Sequence, residues 1–153
     1  MTLYVDSSVL VAVYVPERFS KAARKAVRGV PQVPFTPLHE LEVLNAFELL
    51  VGRSLITRDE CRAIRAQLQA DLESLRLARV PLDLDSVCGS ATEFSRLYTS
   101  RFLTRSLDLL HVAAAQAMMC STLVSADDRQ LAVAKAAGLK VLDIKHRVGR
   151  KKS

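Results

Sequence analysis

Long hydrophobic runs are missing from this 153-residue chain. No stretch approaches the roughly 18 to 20 consecutive apolar residues that a membrane span needs, so no membrane partner is expected. Cysteine is scarce. Cys61, Cys88 and Cys120 are odd in number and show no CxxC spacing. That excludes a disulfide framework and a cysteine zinc site, and points to reduced thiols in a cytoplasmic protein. No internal repeat, low-complexity segment or linker interrupts the chain, so one domain is expected over residues 1–146, followed by a basic tail, 147–153. The N-terminal MTLYVDSSVLVAVYV is apolar but lacks a basic leader, and Asp6 interrupts it. It reads as a strand entering a helix rather than a signal peptide. Acidic residues are the minority, 16 against 22 Lys plus Arg, for a formal net charge of +6. Such a surplus favours a polyanionic partner, nucleic acid above all.

What is present alternates between strand and helix. Residues 2–6 read as a buried strand, with Ser7 and Ser8 capping a helix from Val9 that Pro16 breaks. A short basic helix over Ser20–Val30 and an extended Gln32–Phe35 follow. Thr36 and Pro37 launch a helix over Leu38–Val51 that Gly52 stops. The spacing of Cys61, Ile64, Leu68, Leu72 and Leu75 predicts one amphipathic helix over Arg58–Arg79, with Arg58, Arg62 and Arg65 on another face. That stripe, with the second helix, suggests a groove for a partner helix, the alternative being burial within the monomer or a homodimer. Further helices are expected around Val87–Tyr98, over Leu107–Cys120 and over Gln130–Ala137, with strands at Thr122–Ser125 and Lys140–Ile144. Strand–helix alternation at both ends predicts an α/β fold with a central, mainly parallel sheet flanked by helices. Sites in such sheets form beyond the carboxyl ends of strands.

Four acids stand in otherwise apolar surroundings: Asp6, Glu42, Asp108 and Asp127. Charged side chains seldom occupy core-forming segments unless paired or bound to metal. Carboxylates gathered in one pocket repel each other unless divalent cations neutralise them, which predicts a Mg²⁺ or Mn²⁺ site. Asp6 and Asp127 each follow a strand. Asp108 shares a helical face with Val112, Ala115 and Met119, and Glu42 shares one with Leu38, Asn45 and Leu49. Asn45 and Ser125 are supporting candidates, Ser125 as the holder of a bound water. Capping competes as an explanation for Asp6 and Asp108, Glu40 competes with Glu42, and Asp128 is expected to cap or face solvent beside Asp127. His111 on its alanine-rich helix reads as a packed structural residue. The arginine stripe reads mainly as a solvated face.

The segments VDSSVL, LEVLNA, LDLLHVAAA and LVSADDRQLAVAKAAGLKV, in that order and over nearly the whole chain, resemble the PIN-domain ribonucleases, and most of all the VapC toxins of toxin–antitoxin pairs. The resemblance implies a PIN-like three-layer sandwich and a metal-binding quartet at Asp6, Glu42, Asp108 and Asp127. It also implies a Mg²⁺- or Mn²⁺-dependent endoribonuclease, usually a homodimer, inhibited by a cognate antitoxin. Ser125 stands where that family usually has threonine. Two other readings are a haloacid-dehalogenase-like phosphatase, disfavoured because Ser8 stands where a second aspartate is needed, and a non-catalytic PIN-like RNA-binding or scaffold protein.

Overall fold

A computed structural model describes residues 2–146; the basic tail expected over 147–153 lies outside the described residues. In chain order the elements are β1 (Leu3–Val5), α1 (Ser7–Tyr14), α2 (Ser20–Arg28), β2 (Val33–Phe35), α3 (Pro37–Gly52), α4 (Arg58–Glu73) and β3 (Leu77–Arg79). Then come α5 (Leu84–Phe94), a π-helical turn (Ser95–Thr99), α6 (Ser100–Phe102), α7 (Ser106–Ala117), β4 (Thr122–Ser125), α8 (Asp128–Ala136) and β5 (Lys140–Asp143). The chain divides into two compact units, Met1–Asp6 with Leu82–Ser153, and Ser7–Pro81.

In the first unit β4 is the central strand of a parallel sheet ordered β1-β4-β5. Leu3, Tyr4 and Val5 pair with Thr122, Leu123 and Val124, and Thr122–Ser125 pair in turn with Lys140–Asp143. Every residue of β1 and β4 is buried, as expected of parallel strands covered on both faces. Helix α7 supplies small residues for close packing: Ala113, Ala114 and Ala115 join Val112, Tyr4, Leu123 and Val133 in one core cluster. His111 is 2% exposed, and its Nδ1 is hydrogen-bonded to the Tyr4 hydroxyl at 2.7 Å. The structural reading of that histidine holds. Met119, expected on the face of Asp108, instead lies past the helix end at φ 53° and is exposed.

The second unit has its own parallel pair, β2 with β3. Thr36 caps α3 as expected. Its Oγ1 accepts from the His39 N–H at 3.3 Å while His39 Nδ1 accepts from the Thr36 N–H at 3.0 Å. The buried face of α3 is His39, Val43 and Phe47. Leu49 and Asn45 are exposed, so the face grouped with Glu42 is not the core face. Ser7 and Ser8 are the first residues of α1 and not caps ahead of it.

The helix expected over Arg58–Arg79 is shorter. Ser74 closes α4, Leu75 turns left-handed at φ 61°, and Leu77–Arg79 form β3. Of the proposed stripe Cys61 and Leu68 are buried and Leu75 is exposed. The arginines are solvated and paired, Arg58 and Arg65 with Glu48 and Arg62 with Asp59.

Candidate functional site

Three of the four predicted acids lie in the unit that holds β4. Strand β1 ends at Val5, and the Asp6 N–H extends its ladder to the Val124 carbonyl at 3.1 Å. This fixes the Asp6 backbone at the carboxyl edge of the sheet, with the residue 5% exposed. Strand β4 ends at Ser125, whose Oγ donates to Asp6 Oδ2 at 2.5 Å and accepts from the Asp127 N–H at 3.0 Å. One hydroxyl therefore ties the carboxylate of the first strand to the backbone beyond the fourth. That is a positioning role.

Asp127 both caps and faces a cation. Its Oδ1 accepts from the N–H groups of Arg129 (2.8 Å) and Gln130 (3.1 Å), making it the N-cap of α8. Its Oδ2 lies 3.8 Å from Arg105 Nη2. Asp128, expected to cap or to face solvent, faces solvent and pairs with Lys145; the lysine holds the Asp128 carboxyl below its ordinary range.

Asp108 stands in the first turn of α7, and Gln130 Nε2 donates to its backbone carbonyl at 3.3 Å. Burial, and then the negative charge of Asp127, raise the Asp108 carboxyl above its ordinary range, while Arg105 pulls the other way. Arg105 Nε lies 3.4 Å from Asp108 Oδ2. The guanidinium thus stands against Asp108 and Asp127 together, with a side chain 74% exposed. The sequence reading missed it. Its signal is an arginine three residues before Asp108, where the chain is extended and then enters α7.

In the second unit Glu40 and Glu42 have different surroundings. Glu40 is held by Arg79 through contacts of 2.6 and 3.2 Å, which keep its carboxyl below the ordinary range. Glu42 Oε1 accepts from Ser7 Oγ at 3.1 Å and is half-buried. Glu48 holds Arg58 and Arg65 at the surface.

Among the described residues, no group of three or more His, Cys, Asp or Glu stands close enough, as placed, to hold a metal ion. The donors nevertheless suit a hard divalent cation, being oxygens only. The mutual repulsion of Asp108 and Asp127, and the guanidinium already set against both, mark a place where positive charge is favoured. Among the described residues no helix is long and apolar enough to cross a membrane.

A comparison with curated proteins found no match. Among solved structures the chain is similar to FitAcB from Neisseria gonorrhoeae, at 15% identity and a TM-score of 0.69, covering 95% of this chain and 99% of that one. It is similar to the Mycobacterium tuberculosis VapC20 toxin, described as cleaving the sarcin–ricin loop, at 18% identity and a TM-score of 0.63, covering 90% and 96%. It is also similar to VapBC2 from Rickettsia felis, solved on a promoter DNA fragment, at 13% identity and a TM-score of 0.64, covering 94% and 98%. These likenesses concern the fold. The PIN domain family model matches residues 3–136, nearly the whole described chain, and the chain belongs to the PIN-domain family.

Proposed function

We propose that this chain is a metal-dependent endoribonuclease and the toxin of a type II toxin–antitoxin pair. The observation that carries the reading is the linked acidic edge: Asp6 held by Ser125, Asp127 held by the same hydroxyl, and Asp108 raised by Asp127. Asp6, Asp108 and Asp127 would hold Mg²⁺ or Mn²⁺, with Glu42 as the fourth carboxylate. Its inclusion is supported by the hydrogen bond from Ser7, the residue that follows Asp6. Asp6 and Asp108 are the proposed direct ligands, with Glu42 and Asp127 acting through water. A divalent cation, when bound, supplies charge neutralisation and polarises a phosphoryl oxygen. The chain's own part is to hold the acids at the strand edge, and to offer Arg105 and the basic surplus to the RNA backbone. Attack of water on phosphorus breaks the P–O3′ bond, leaving a 5′-phosphate and a 3′-hydroxyl that takes up a proton.

Partner assignments extend the same reading. Relatives of this fold were solved as a toxin–antitoxin complex and on promoter DNA, which supports a cognate antitoxin as the partner; the homodimer is carried over from the family resemblance alone. The proposed groove takes an amphipathic antitoxin helix. The test is cleavage of a mixed-sequence RNA by purified protein in Mn²⁺, with chelator and Asp108→Asn as controls. Cleavage lost in both controls supports the nuclease. RNA binding with no cleavage by wild type at any divalent concentration overturns it in favour of a non-catalytic RNA-binding protein. Co-expression with the neighbouring small reading frame tests the antitoxin: no co-purifying chain and no loss of cleavage would defeat that part.

A further inference from the structure

We propose that Gln130 is a positioning residue for the acidic edge, holding Asp108 and Asp127 at the separation that one divalent cation needs; this rests on the nuclease reading above. Two hydrogen bonds carry the inference. The Gln130 backbone N–H donates to Asp127 Oδ1 at 3.1 Å, and its side-chain Nε2 donates to the Asp108 carbonyl at 3.3 Å. The first fixes the carboxylate that caps α8, and the second reaches the first turn of α7, which carries the other carboxylate. One residue therefore touches both acids, and all three lie in the same compact unit. The tie opposes a separation. Asp108 and Asp127 carry like charge, and their shared offset, Arg105, has a side chain 74% exposed and so holds them weakly.

Packing alone does not account for an amide at this position. Gln130 is 1% exposed and belongs to the buried residues of α8 with Leu131, Val133 and Ala134. Its Oε1 is shielded from solvent and, among the described residues, has no hydrogen-bond partner. A buried acceptor left unpaired is destabilising, and an apolar side chain of similar volume would leave none. Nor does the amide rescue a stranded carbonyl. The ladder of α7 already uses the Asp108 carbonyl, one turn before Val112. What the amide adds is a link between two helices at the end that carries the acids. Groups that orient a metal ligand from behind govern metal affinity nearly as much as the ligand does. A second glutamine gives the comparison. Gln116, about two helical turns beyond Asp108, donates from Nε2 to the Ala137 carbonyl at 2.7 Å, an exposed tie at the other end of the same helix pair.

The experiment sets Gln130→Met, which keeps the volume and removes the amide, beside Gln116→Met and wild type. Each full chain is stripped with chelator. Mn²⁺ affinity is then measured by calorimetry, stability by thermal melting, and cleavage of mixed-sequence RNA at saturating Mn²⁺. Gln130→Met should bind Mn²⁺ about tenfold more weakly, the lower end of what such supporting groups contribute. Its kcat should fall by a similar factor with KM for RNA within about twofold of wild type, while its melting temperature stays level or rises. Gln116→Met should do the reverse, with a lower melting temperature and with Mn²⁺ affinity and kcat unchanged. A purely structural role for Gln130 gives a lower melting temperature with Mn²⁺ affinity intact, and that result overturns the proposal. So does a Gln130→Met chain that fails to fold, or equal weakening of Mn²⁺ binding in the two variants. Wild type that cuts RNA, with Mn²⁺ affinity and kcat unchanged in Gln130→Met, keeps the nuclease and removes the positioning role. Wild type that binds Mn²⁺ without cutting RNA sinks the nuclease; weaker Mn²⁺ binding in Gln130→Met alone then still upholds the positioning role. Wild type that binds no Mn²⁺ overturns both.

Discussion

Two parallel strand pairs in this chain run into helices, and they end in opposite chemistry. At the end of β2 the chain passes from Phe35 to Thr36, which with His39 closes a neutral capping box at 1% and 0% exposure. Nearby Arg79, the last residue of β3, is matched by Glu40. Every polar group named there has a partner, and the junction is scaffold. At the ends of β1 and β4 stand Asp6 and, after Ser125, Asp127, with Asp108 raised by its neighbour's charge. That edge concentrates like charge with an exposed arginine as its offset. A strand-to-helix junction is closed where neutral groups complete it, and gathers negative charge where carboxylates stand; the proposed nuclease site is of the second kind.

The contrast is broken most severely by exchanging the roles. Asp6→Asn keeps an oxygen for the Ser125 hydroxyl while removing the charge. RNA cleavage should fall by about 10²- to 10³-fold, the equivalent of several kcal/mol of lost charge stabilisation, with the melting temperature unchanged or raised. Thr36→Ala should do the converse. Loss of the cap should cost about 1–2 kcal/mol, a melting temperature lower by roughly 2–8 °C, with cleavage per folded molecule retained. Cleavage assays beside thermal melts on both variants decide it, and equal loss of activity in the two would end the division.

The acidic junction was far more legible in the sequence than its surroundings. LYVD and TLVSAD are short runs buried on both faces, and a charge at the end of such a run is visible without a structure. Thr36 before Pro37 announced its cap in the same way. Strand β3 was not legible. Leu72, Leu75 and Ala78 continue a helical spacing, and the stop is a left-handed leucine, a conformation that no residue preference signals. Asp127 was assigned to the acidic site but not to the cap it also makes, because competition between adjacent aspartates is settled by where the helix axis falls. Arg105 escaped because exposed arginines are common; only its distances to Asp108 and Asp127 distinguish it.

Arg105 and Arg79 sharpen the contrast at smaller scale, since each offsets acid in its own unit. Arg105→Gln removes a positive charge from the place a divalent cation is proposed to take. Calorimetric Mn²⁺ affinity should rise by about threefold to tenfold, a modest gain because the side chain is mostly exposed and screened. RNA affinity should fall in the same variant. Unchanged Mn²⁺ affinity would show that the guanidinium does not compete for that position.

Glu40→Gln, in the scaffold unit, should have the smallest effect and a defined pH signature. Its carboxyl is held below the ordinary glutamate range, first by the hydrogen bond from Arg79. A depressed folded value means that the folded state binds the proton less readily than the unfolded chain does. The stabilisation is therefore present above the unfolded value and is lost as pH falls through the folded one. Wild type should melt about 1 °C above Glu40→Gln near pH 7, since an exposed pair is well screened. The gap should close as pH falls below the ordinary glutamate range and wild-type Glu40 takes up its proton. Mn²⁺ affinity and RNA cleavage should be untouched at any pH where both proteins are folded. A loss of metal binding in Glu40→Gln, with Glu42→Gln behaving as wild type, would exchange the two glutamates and move the candidate fourth ligand to the residue that Arg79 holds.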